Sequence, residues 1–133
     1  MPREKASMTI EYRRIGRLPT CIGNERIRIA AGEVSHSRNT VECEPGVTWS
    51  ASWRPVGRLD AAALAHLTQQ IVDTGILGLE PESIDETVQG GTREEMDIAI
   101  GEREQHFVSE NTDPPPFRAV VKLLWGVMFE LGS

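Results

Sequence analysis

Three histidines, two cysteines and several groups of carboxylates and guanidinium ions carry whatever chemistry this chain can do. His36, His66 and His106 fall on an expected loop, helix and strand, and none has a carboxylate or cysteine at a recognised ligand spacing. Cys21 and Cys43 lack CxxC or Cys/His spacing and read as reduced thiols. Ser35-His36-Ser37 sets hydroxyls beside an imidazole, but a triad needs geometry, and no nucleophile-elbow pattern surrounds it. Gly90-Gly91-Thr92 lacks the lysine and spacing of a phosphate loop. The acidic run Glu80, Glu82, Asp85, Glu86, Glu94, Glu95 and Asp97 misses the spacing that places six oxygens around one calcium ion, and reads as solvated. No catalytic residue, metal ligand or cofactor is expected.

Three constellations remain. Arg13, Arg14, Arg17, Arg26 and Arg28 form the strongest polar group, and Arg13, Arg26 and Arg28 project from the outer, uncovered face of adjacent strands. Their forks suit carboxylates, either Glu11, Glu25 and the acidic loop of the same chain or an acidic partner. Trp49 and Trp53 share one strand face and serve either as core or as a stacking platform. Trp125 and Phe129 stand four apart on a helix, beside Arg118 and Lys122, and widen its apolar surface beyond one docking face.

The elements that hold these groups follow from period and punctuation. Met8, Ile10 and Tyr12 alternate with Thr9, Glu11 and Arg13, which predicts a strand; Ile27 and Ile29 alternate with Arg26 and Arg28 in a second. Glu33 to Arg38 has only Val34 as a strong apolar residue and is left open between strand and loop. Val47, Trp49, Ala51 and Trp53 alternate with polar residues in the clearest strand, ended by Pro55 and Gly57. Asp60 then caps a helix with Leu64, Leu67 and Ile71 buried and Gly75 at its end; Leu59 can staple onto Leu64. Glu80 to Arg93 reads as a long acidic loop. Met96, Ile98 and Ile100 lead into a turn at Gly101-Glu102 and a return strand, Arg103 to Ser109. A two-residue turn sets Phe107 opposite Met96, whereas a three-residue turn turns His106 and Val108 inward. Asp113 and three prolines open the last helix, whose apolar face is Phe117, Val120, Val121, Leu124, Val127, Met128 and Leu131. Gly126, mid-helix, points to a close backbone approach on the opposite side.

This order predicts one α+β domain over residues 8–133 behind a loose tail, 1–7: an antiparallel sheet of about five strands with two helices on one face. At 133 residues, 39% hydrophobic and 26% charged, the composition is that of an ordinary folded domain. The net charge of −6 argues against nucleic acid and anionic membranes as partners. Charge is uneven: net +4 over residues 1–38 and net −10 over 39–133, so the two parts attract. The first seven residues lack the apolar stretch of a signal peptide, and Leu123 to Phe129 is too short to span a bilayer, so the cytoplasm is the expected compartment.

The succession of the Val47–Trp53 strand, a helix to Gly75 followed by Ile76-Leu77, an acidic loop, the Met96–Phe107 hairpin and Pro116-Phe117 opening a terminal helix resembles small bacterial α+β domains of unknown function. The resemblance spans residues 47–131, implies the fold alone and brings no site residues. Two functions are compatible with these readings. One is a non-enzymatic protein interaction module that homodimerises through Trp125 and Phe129, with Arg13, Arg26 and Arg28 as a further anion or acidic-partner surface. The other is a small-molecule-binding domain or enzyme with a pocket between sheet and helices near Trp49 and Trp53, using His106 or Asp85 and Glu86 as acid–base groups.

Overall fold

Alternation along the first segment produces β1 (Met8–Arg17), which sends Met8, Ile10 and Tyr12 to one side and Thr9, Glu11 and Arg13 to the other. A computed structural model describes residues 8–17, 20–39, 53–87 and 91–132. Within it β1 is followed by β2 (Thr20–Ala30), β3 (Glu33–Asn39), β4 (Arg54–Arg58), α1 (Ala61–Asp73), a 3₁₀ turn (Ile76–Gly78), β5 (Glu82–Ile84), β6 (Gly91–Ile100), β7 (Arg103–Glu110) and α2 (Pro115–Gly132). The strands form one sheet in the order β4-β3-β2-β1-β6-β7-β5, antiparallel except for β5 beside β7. The α+β class is as expected, but the sheet has seven strands instead of about five.

The extra strands arise where local signals are weak. Glu33 to Arg38 is a strand because a two-residue turn returns it onto β2: Ala31 and Gly32 both take positive φ, 53° and 78°, the type I′ geometry that matches strand twist. Pro55 and Gly57 do not end a strand; they lie inside β4, at the sheet edge, where a missing amide proton is tolerated. A Cβ on Gly57 would stand 3.1 Å from the Leu131 side chain, so glycine lets α2 pack close to β4. Of the expected Val47–Trp53 strand only Trp53 falls among the described residues; Trp49 and Cys43 lie outside them, as does the side chain of Cys21. The acidic loop contains β5, too short to show a period, held to β7 by Val108 N–H donating to the Pro81 carbonyl and Asp85 N–H to that of Glu110.

Both end signals of α1 act as read. Asp60 accepts from Ala63 N–H at 2.8 Å, and Gly75 at φ 85° ends α1 so that Ile76 folds back into the core. The second hairpin turns in two residues, with Gly101 at φ 60°, which sets Phe107 opposite Met96 and sends both inward. Leu67 and Ile71 of α1 and Phe117, Val120, Val121 and Leu124 of α2 close over Ile10, Tyr12, Ile27, Ile29, Met96, Ile98 and Phe107 in one core. Both helices therefore cover the same sheet face. Among the described residues no helix is long and apolar enough to cross a membrane.

Candidate functional site

Register builds a charge lattice on the sheet face away from the helices. Arg13 lies between Arg26 on β2 and Glu95 on β6, while Glu11 lies between Arg28 and Asp97, and Asp97 faces His106. Arg13 contacts three carboxylates: Glu11 at 2.8 Å, Glu95 at 3.1 Å and Asp97 at 2.8 Å. Burial alone would favour its neutral form, but these bonds outweigh that and hold the guanidinium charged well beyond its ordinary range. The same balance acts on the carboxylates. Desolvation would raise Glu95 and Asp97, yet Arg93 and Arg13 on the first, and His106 and Arg13 on the second, keep both below the usual carboxylate range. Arg93 reaches across to Glu110 at 3.0 Å, extending the lattice toward β7.

Arg26 and Arg28 occupy the same face and stack on Trp53, each guanidinium carbon 4.3 Å from the ring centroid. Burial lowers Arg26 from its ordinary value. Trp53 was expected inward, on a core strand; it instead covers the arginines on the opposite face, because the side chains of Arg26 and Arg28 alternate with core-facing Ile27 and Ile29. A pocket between sheet and helices is thus not one that Trp53 lines. A groove on the outer face is lined by Thr9, Glu11, Asp97, Ala99, Glu104 and His106. His106 bonds Asp97 there, while Asp85 accepts from Thr87 in a local turn, which holds its carboxyl low. These two candidate acid–base groups do not converge.

The helix-covered face holds a second polar system. The Tyr12 hydroxyl donates to Glu94 at 2.5 Å, and Arg118 from α2 reaches the other oxygen of Glu94 at 2.8 Å while also holding Asp113. One strand over, Glu25 accepts from Arg14 at 2.7 Å and stands 2.7 Å from His36 Nε2. Trp125 lies edge-on to His36, ring centroids 6.4 Å apart. Glu25, Glu94 and His36 are buried. Residue types and motifs gave no sign of this system, but strand period did: if Ile27 and Met96 face inward, so do Glu25 and Glu94 two positions before them. His36, expected in a loop, lies on β3 facing the helices, whereas Ser35 and the buried Ser37 take the opposite sheet face, so Ser35-His36-Ser37 is divided between two faces.

The aromatic pair on α2 separates. Trp125 is half-buried against His36, whereas Phe129 is 79% exposed. Gly126 meets no close backbone among the described residues: none of their atoms stands within 4 Å of a Cβ placed there, so the expected close approach is not found among them. No family model and no curated protein matches the chain.

Proposed function

We propose that the chain is a small, non-enzymatic cytoplasmic interaction module that self-associates through the outward side of α2. The observation that carries this reading is Phe129: a full aromatic ring 79% exposed, on a helix whose other face is already satisfied by the core. An aromatic largely in water on a rigid element contributes little to the monomer and is the kind of anchor that dominates interfaces. The alternative use of the Arg13, Arg26 and Arg28 face as an anion site has less support, since Arg13 is held by three carboxylates of its own chain. That lattice is assigned to stability.

The test is the molar mass of wild type and Phe129→Ala by light scattering on a sizing column. The proposal expects a wild-type dimer and a folded Phe129→Ala monomer. Phe129→Ala is a cleaner probe than Trp125→Ala, because Trp125 also packs on His36 and its loss would disturb the fold. A Phe129→Ala protein that stays dimeric contradicts the assignment to this surface.

A further inference from the structure

We infer that the contact is an antiparallel pairing of α2 with α2 of a second copy, with Gly126 on the two-fold axis. This rests on the self-association proposed above and adds its geometry. At 100° per residue Lys122, Gly126, Phe129 and Glu130 share the outward side of the helix, and all four are exposed. Gly126 has open space where a Cβ would stand, so nothing among the described residues requires glycine at a mid-helix position where alanine would strengthen the helix. A second helix backbone approaching at that point would require it.

A two-fold contact must be complementary to itself. Lys122 and Glu130 stand four residues on either side of Gly126, each roughly 6 Å along the helix axis. Reversing one helix about Gly126 therefore brings each Lys122 level with Glu130 of the second copy, giving two opposite-charge pairs. A parallel arrangement would set like against like. The same reversal brings Phe129 within one turn of the second copy's Trp125, whose flank it shares, so two aromatic contacts flank the glycine. Glu130 also engages a neighbour within its own chain, and the cross-copy charge adds to that contact without replacing it. An interface of one helix pair is small, so association at about micromolar strength is expected, and mass must be followed over a concentration series.

Three variants test the geometry by sedimentation at increasing concentration: Lys122→Glu, the double exchange Lys122→Glu with Glu130→Lys, and Gly126→Leu. Lys122→Glu sets two carboxylates against each other at both ends and should weaken the dimer about tenfold or more, while the double exchange should return it to within about threefold of wild type. Gly126→Leu should be monomeric, with helix content and unfolding midpoint no lower than wild type, since the monomer has room for the side chain. If wild type dimerises but the single and double exchanges behave alike, or Gly126→Leu stays dimeric, the geometry is wrong and self-association stands. A wild-type monomer at every concentration removes both.

Discussion

Tyr12 is the only tyrosine in the chain, so its ionisation can be followed by phenolate absorbance as a single-site signal. Burial pushes its phenol far above the ordinary value of 10.0, and the charge of Glu94 and the hydrogen bond to it push the same way, against weaker opposing effects of Arg14 and Arg118. The proton is therefore bound more tightly by the folded chain than by the unfolded one. That contribution is complete below pH 10 and is lost as pH rises above it, because the unfolded chain ionises first. Between the unfolded and folded values stability should fall by about 1.4 kcal/mol per pH unit from this group alone. Lysines and arginines also respond at high pH, so the comparison is with Tyr12→Phe. That variant loses a hydrogen bond to a buried carboxylate, about 1.5–3 kcal/mol at neutral pH, and should have an alkaline slope shallower by about 1.4 kcal/mol per pH unit. Urea midpoints measured at several alkaline pH values give both slopes. Phenolate appearing reversibly near its ordinary pH while the circular dichroism stays native would refute the buried Tyr12–Glu94 bond, as would equal alkaline slopes.

Four further outcomes follow from the structure. Asp97 and Glu95 are held low by their arginine and histidine partners, so their contribution is present above their ordinary values of 3.8 and 4.5 and is lost as pH falls through the lower folded values; Asp97→Asn and Glu95→Gln should each flatten the acid limb of stability against pH, measured by urea midpoints. Arg13→Met leaves Glu11, Glu95 and Asp97 facing one another and should lower stability by about 2–4 kcal/mol, whereas Arg58→Met, which breaks an exposed pair with Glu33, should cost about 0.5 kcal/mol or less in the same titration. Gly32→Ala places a Cβ 2.8 Å from the Leu59 carbonyl at φ 78° and should lower the midpoint strongly, while Ala31→Gly relieves a left-handed residue and should leave it equal or higher. Phe129→Ala should shift monomer stability by about 0.5 kcal/mol or less, since the ring is exposed.

Much of the frame was legible because local and tertiary preferences agree. Alternation in Met8–Tyr12 and Met96–Ile100, the Asp60 cap, Gly75 and the apolar face of α2 each state a role that packing then uses. Elements were misread where tertiary contacts override local signals. β4 carries Pro55 and Gly57, which punctuate a chain by themselves, yet an edge position accepts the proline and the approach of Leu131 requires the glycine. β5 has three residues and is a strand only because β7 offers it hydrogen bonds. Trp53 read as inward because it alternates in step with Val47, Trp49 and Ala51, but two stacked guanidinium groups give it a place on the outer face. Two of the three partners of Arg13, Glu95 and Asp97, depend on β6 lying beside β1, a pairing across more than eighty residues that no local pattern contains, whereas Glu11 stands two residues away on β1 itself. The inward carboxylates Glu25 and Glu94 were implied by strand period, and their charge hid them, since only the arrival of Arg14, Arg118, Tyr12 and His36 makes their burial tolerable.

Self-association through α2 is tested most directly by the mass of the wild-type protein in solution as its concentration rises. The account predicts a monomer at low concentration and a smooth rise toward twice that mass, abolished by Phe129→Ala without change in circular dichroism. A mass that stays monomeric throughout, or a dimer indifferent to Phe129→Ala, contradicts it.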